Sequence, residues 1–208
     1  MKVRLISDWR EPHYDHWFDH EGYEFRRVST EGMSRPEMLR WLSTVGFTTP
    51  RHGRVRDIAP LLKKLVVYTD EGSHRGEGKL LLPSIETQEK YPDAYASEYI
   101  ESPPESFRLL QIGARSWILR YRSDDTWRSN VGEVEIAIQS EGSGYHPHID
   151  APLFAVDCVY DRDGNRYAVD YNIAPGIRWT GVEDRVSGQE IVALIKAAVA
   201  RKSGAADE

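Results

Sequence analysis

The stretch Phe154-Ala-Val-Asp157-Cys-Val-Tyr-Asp-Arg-Asp-Gly164-Asn-Arg-Tyr-Ala-Val-Asp170-Tyr-Asn172-Ile-Ala-Pro175-Gly176-Ile-Arg178-Trp-Thr-Gly181 reads as two alternating strands joined by an Asp-Gly turn. Asp157 interrupts an apolar run from Leu153 to Val159, where an unpaired carboxylate would be costly. Asp170 and Asn172 lie two apart on the second strand, so the pleat sends both toward one face. Oxygen donors with no Cys or His among them suit Mg²⁺ or Mn²⁺ rather than zinc, and Mg²⁺ usually completes its shell with water and substrate phosphates. The pattern therefore points to a nucleotide-triphosphate site. A hairpin whose Asp and Asn side chains merely face water has the same sequence, and the hairpin alone does not decide between the two.

Outward from this segment, 208 residues with 40% hydrophobic and 29% charged content are enough for one sizeable core or two small coupled lobes. A net charge of −6 argues against a surface that coats nucleic acid, although a local basic strip runs from Arg51 to Arg56. No apolar run approaches the ~20 residues that span a bilayer, and Met1 to Asp8 lacks the apolar core of a secretory signal, so the expected location is the cytoplasm. Cys158 is the only cysteine, which excludes an internal disulfide and a multi-thiolate metal site; within its strand it reads as a small core residue.

Short strands are expected at Lys2 to Ser7 and Tyr23 to Ser29, separated by a stretch in which His13, His16 and His20 have helical spacing. Ser34-Arg35-Pro36-Glu37 places a capping serine before a proline and an acid. Met38, Leu39, Trp41, Leu42 and Val45 then recur at helical intervals up to Gly46. Arg56 to Lys64 reads as a second short helix feeding a strand at Leu65 to Tyr68, and a third helix is expected around Ser84 to Tyr91. Phe107 to Ile112 and Ser116 to Arg122 form a hairpin around Gly113-Ala114, Val134 to Gln139 is extended, and Ser187 to Lys202 is a final amphipathic helix.

Two further constellations carry chemistry. The loop Gly72 to Lys79 has three glycines able to expose backbone N–H groups, with Ser73, His74, Arg75 and Lys79 as phosphate donors; it matches neither the Walker nor the Rossmann spacing. The hairpin that follows carries Arg108 on one strand and Arg120 and Arg122 on the other, with Trp117, Leu119 and Tyr121 facing oppositely to the last two. Arginines opposite a carboxylate hairpin make electrostatic sense with a triphosphate and its metal between them.

Taken in order, these pieces resemble the ATP-grasp superfamily, and within it the ribosomal-protein glutamate ligase (RimK-like) and related carboxylate–amine ligases. The resemblance covers roughly Glu37 to Lys196. Val45-Gly46-Phe47-Thr48-Thr49-Pro50 is similar to the family's entry into the domain, Ser73 to Lys79 to its phosphate-covering loop, and Ser97-Glu98-Tyr99-Ile100 to the hinge that meets adenine and the adenosine hydroxyls. Arg108, Gly113 and Arg122 resemble the following hairpin, and Arg128-Ser129-Asn130 a short run carried by the glutamate ligases. Asp157, Asp170 and Asn172 then take the places of the residues that hold magnesium, with Asp-x-Asn for the commoner Glu-x-Asn. Where many members carry a nucleotide-binding lysine in the strand, this chain has Leu65-Val66-Val67-Tyr68, which leaves Lys79 or Arg75 as substitutes.

What the resemblance implies is an α+β ATP-grasp fold of two lobes with the nucleotide between them. Residues 1–36 would be a reduced N-terminal segment and 37–208 the ATP-grasp domain, with a small lobe at 37–97, an antiparallel lobe at 98–202 and a frayed tail at 203–208. The implied activity is ATP-dependent ligation of a carboxylate to an amine, an amino acid or peptide among the candidates, through an acylphosphate. ATP and Mg²⁺ or Mn²⁺ would be held by Asp157, Asp170 and Asn172, with Ser73, His74, Arg75, Lys79, Glu98, Ile100 and Arg122 on the nucleotide. Arg128, Asn130 and Arg108 would act on the reacting groups, and Arg178 would select an acidic substrate group. A degenerate domain that binds nucleotide or a partner without ligation is the alternative. His146-Pro147-His148-Ile149-Asp150 also matches the start of an oxygenase or cupin metal site, but no histidine follows His148 to complete one, so the segment reads as a loop near the substrate.

Overall fold

The computed structural model of the chain describes residues 33–70, 78–103, 105–125, 127–128, 132–172, 175–177 and 179–204. The expected N-terminal strands, the His13, His16 and His20 face, and Ser73, His74, Arg75, Asn130 and Arg178 lie outside the described residues. Among the described residues there are two antiparallel sheets. The first contains β1 (His52–Arg54), β2 (Lys64–Tyr68), β3 (Lys79–Pro83) and β4 (Tyr95–Glu98) in the order β1-β4-β2-β3. The second contains β5 (Glu105–Ile112), β6 (Arg115–Ser123), β7 (Val134–Ser143), β8 (Leu153–Tyr160) and β9 (Arg166–Asn172) in the order β7-β6-β5-β8-β9.

Helix α1 (Arg35–Thr44) starts as its sequence dictates: the Ser34 backbone N–H donates to the Glu37 carboxylate at 2.8 Å, and Pro36 occupies the first turn, where its missing N–H costs nothing. Met38, Leu39 and Leu42 are buried on one face, each removal from water being worth roughly 1.5–3 kcal/mol. They pack with Phe47 against the back of the second sheet, onto Phe154, Val156, Cys158 and Ala168. The helix expected from Arg56 to Lys64 is instead α2 (Val55–Ile58) followed by a 3₁₀ turn at Ala59–Leu61, because Pro60 cannot continue an α-helical ladder. Helix α3 (Ser84–Lys90) follows β3.

Strand pleating gives each sheet two characters. On the first sheet Leu65, Val67 and Ala96 pack with Val55, Ile58 and Ala59, while Val66, Tyr68, Tyr95 and Ser97 point the other way, toward the second sheet. On the front of the second sheet Leu110, Ile112, Trp117, Leu119 and Leu153 form a core with Ile191, Val192 and Ile195 of α4 (Gly188–Gly204). The same front face continues beyond the helix as Tyr121, Arg108, Asp157 and Asp170, since Arg108 pairs with Leu119 and Asp157, and Asp157 with Asp170. Half the face is core and half is polar floor.

The His146–Asp150 segment lies on the back face and not beside that floor. His146 stacks on Phe47 at 5.4 Å and meets Phe154 edge-on, and its Nδ1 accepts the backbone N–H groups of His148 and Ile149. The ring closes a turn in the α1-side core, which corrects its reading as a substrate loop.

Gly113, in the β5–β6 turn, has φ of +55°, and a Cβ there would lie 2.4 Å from the Leu194 carbonyl oxygen of α4. Backbone conformation and close approach both demand glycine. Gly113→Ala is expected to lower stability by about 2 kcal/mol or more, read as a fall in the urea midpoint, with a smaller loss for Gly144→Ala, where nothing lies within 4 Å of the added carbon.

Candidate active site between the two sheets

The polar end of the front face meets the inner face of the first sheet around a cavity of about 140 Å³. Its apolar walls come from Val66, Ile100, Val159 and Val169, while the end of β4 contributes Glu98 and the connection between the sheets Tyr99. Arg108, Asp157, Asp170, Lys79 and Arg128 form its polar end. A bulge between Asp157 and Cys158 in the β8–β9 pairing leaves Val169 unpaired and turns it into the cavity, an irregularity of the kind that re-aims side chains beside functional sites.

Both front-face carboxylates are held by arginine. Arg108 Nε donates to Asp157 Oδ1 at 2.6 Å and its Nη2 to Oδ2 at 2.9 Å, a two-pronged fork, while the guanidinium lies 5.0 Å from the centre of the Tyr121 ring. Arg35 Nη1 donates to Asp170 Oδ1 at 2.9 Å and to the Val169 carbonyl at 3.3 Å. Burial is the largest influence on Arg35 and opposes its charge, but Asp170, Tyr68 and Asp157 together raise the guanidinium pKa; burial likewise opposes the Asp170 charge, and Arg35, Lys79 and the Tyr171 N–H together hold the carboxyl below its ordinary value.

Tyr68 ends β2 on the inner face of the first sheet. Its ring lies 5.3 Å from the Arg35 guanidinium and 6.0 Å from Lys79 Nζ, within cation–π reach of both, and its hydroxyl is 2.9 Å from Ser97 Oγ. Burial and then the nearby Arg35 lower the Lys79 pKa. Arg35 escaped the reading of the sequence, which saw only a helix start. One signal was present: a cation in the first helical turn is disfavoured by the helix dipole and calls for a carboxylate elsewhere.

Arg128 enters the cavity from the far side. Its Nη2 donates to Asp125 Oδ2 at 2.8 Å, and Asp125 Oδ1 also accepts the backbone N–H groups of Trp127 and Arg128, so the Arg128 hydrogen bond first and these two next depress the Asp125 pKa. Arg128 Nε is buried with no hydrogen-bond partner among the described residues. Glu98 and Ile100 line the cavity as well. Arg122 does not: it projects from the opposite face, 59% exposed and 3.9 Å from Glu105. Asn172 pairs with Ala155, placing it on the front face beyond Asp170. Among the described residues no three His, Cys, Asp or Glu side chains converge on a metal site; the hard donors on this face are two carboxylates and the Asn172 amide.

Two antiparallel sheets closing on a cleft, with a hinge strand at one end and paired acids and arginines at the other, make up an α+β ATP-grasp fold. No family model matches the sequence and no curated protein matches it, whereas solved structures share the fold at low identity. The ATP-grasp ligase PsnB complexed with minimal precursor, Mg and ADP is 15% identical, with a TM-score of 0.60 over 95% of this chain and 77% of that one. D-alanine–D-alanine ligase from Bacillus anthracis complexed with ATP is 11% identical at a TM-score of 0.57, over 94% of this chain and 78% of that one. A RimK domain ATP-grasp protein from Sphaerobacter thermophilus is 13% identical at 0.52, covering 96% of this chain and all 100% of its own. Against two other PsnB complexes the chain spans 60% and 64% of their length.

The ion pair gives a signed pH dependence. A folded-state pKa below the ordinary aspartate value of 3.8 contributes stability that is complete above that value and lost as pH falls through the depressed one. As pH falls below about 4 the wild-type urea midpoint should fall more steeply than that of Asp170→Asn. Asp170→Ala should cost about 3 kcal/mol at neutral pH, the low end for a broken buried pair, because Arg35 is 7% exposed but Asp170 is 39% exposed.

Proposed function

We propose that the chain is an ATP-dependent carboxylate–amine ligase. The observation that carries this reading is the convergence of Asp157, Asp170, Arg108 and Lys79 at one end of a cavity whose other end is walled by Val66, Glu98 and Ile100, with Arg35 bonded to Asp170 outside that lining. The apolar hinge end has the character an adenine ring would need and the cationic end that of a polyphosphate site, the two lobes opening around the 140 Å³ cavity to admit them. The cations suit charge that spreads over phosphoryl oxygens during transfer. Arg35 and Lys79, flanking Tyr68, supply the charge that a strand lysine would.

The donor set fits magnesium: Asp157, Asp170 and Asn172 offer only hard oxygens on one face and would hold the ion, leaving its remaining positions to water and phosphate. When bound, the ion would neutralise phosphate charge and polarise the transferring group. In the reaction proposed, a substrate carboxylate oxygen bonds to the γ-phosphorus as the bond to the β,γ-bridging oxygen breaks and ADP leaves. An amine nitrogen then bonds to the acyl carbon, inorganic phosphate departs and the amine proton passes to solvent. Arg128 is the group we assign to the carboxylate, since it lines the cavity together with Lys79 and Arg108.

A second reading, a nucleotide binder without ligation, rests on Tyr68 in the lysine's place. Calorimetry with ATP and Mg²⁺, followed by ADP release on addition of amino-acid and peptide mixtures, separates the two. Ligation predicts nucleotide binding and acceptor-dependent ADP release, lowered about a hundredfold by Arg108→Ala or Lys79→Ala. Binding with no ADP release from any mixture would favour the binder, and no nucleotide binding at all would defeat both.

A further inference from the structure

The cavity's two carboxylates already have counter-ions, and both belong to the protein. Asp157 spends both oxygens on the Arg108 fork, and Asp170 gives Oδ1 to Arg35 and to its neighbour's backbone N–H at Tyr171, 3.0 Å away. The guanidinium sides of both pairs are withdrawn from water, Arg35 7% and Arg108 17% exposed, while Asp170 keeps 39% exposure on the cavity.

We propose that these arginines gate the metal site by counter-ion exchange, so that a divalent cation is refused by the protein alone and admitted only when a polyphosphate takes over the guanidinium groups. The proposal rests on the nucleotide reading above. A cation arriving by itself must either displace a buried guanidinium, stranding that charge beside a divalent ion, or share a carboxylate with it; both place like charges together in a poorly solvated cleft. A di- or triphosphate changes the balance, because phosphate oxygens accept the planar fork that Arg108 now gives to Asp157. Arg108 then trades one anion for another, and movement of Arg35 from Asp170 toward the phosphate completes the release of both carboxylates to the metal. Lys79 lines the same cavity with its Nζ 6.0 Å from the Tyr68 ring, a further donor for the incoming phosphate. Metal and nucleotide would thus bind with positive coupling, and by linkage the coupling is the same in both directions.

Mn²⁺ binding, read as loss of the free-ion EPR signal in the whole chain without nucleotide, tests this directly. Wild type should show no binding below about millimolar Mn²⁺, whereas Arg35→Gln should bind at least about tenfold tighter, a shift of about 1.4 kcal/mol. That gain should vanish in Arg35→Gln/Asp170→Asn. Arg108→Gln, freeing Asp157, provides an independent variant should the first not fold. Calorimetry of wild type with ADP and Mn²⁺ runs alongside. If nucleotide and metal bind together but neither arginine variant gains affinity for metal alone, or if wild type takes up Mn²⁺ as tightly without ADP as with it, exchange is overturned while the nucleotide site stands. Absence of ADP binding overturns both.

Discussion

Two carboxylates cannot sit side by side in a cleft walled by valine and tyrosine unless cations are built in with them, and much of this structure meets that demand. Arg108 reaches Asp157 because β5 and β8 pair in the register that sets them opposite one another. Arg35 reaches Asp170 because α1 is clamped to the back of the second sheet by Met38, Leu39 and Leu42. The helix thus has an electrostatic role at its first residue and a packing role along its length. Displacing either would expose the other.

That arrangement also couples the lobes. Arg35 contacts Asp170 of the second sheet and the Tyr68 ring of the first, so the floor of one sheet and the inner wall of the other share a single side chain. The α1 core reaches across in the same way, through Tyr68 and Tyr95. Changes in the charge between the lobes are therefore transmitted to how they pack.

Much of the architecture was legible from local pattern. Alternation gave the strands, the Asp-Gly and Gly-Ala turns gave the hairpins, and Pro36 and Ser34 gave the start of α1. The front face was partly legible too: a two-residue turn at Gly113-Ala114 sets Ile112 opposite Arg115, hence Arg108 opposite Leu119, which separates Arg108 from Arg122 by pleat parity. What no local pattern contains is a contact between distant segments. The cost of a buried Asp157 argued for a compensating cation, but a metal and an arginine satisfy that argument equally. Arg35 was invisible because its partner lies far along the chain, and His146 because its role is to stack on Phe47 behind the sheet.

The separation between Arg35 and Asp170, 135 residues, has a consequence for how the chain is made. As α1 leaves the ribosome its apolar stripe has no sheet to cover it, since β8 and β9 are synthesised last among the strands. Closing so long a loop is entropically slow, and until it closes a helix with three large buried side chains must wait in solvent. Until β8 and β9 are made, the helix that anchors the finished site is therefore the segment most exposed to premature association.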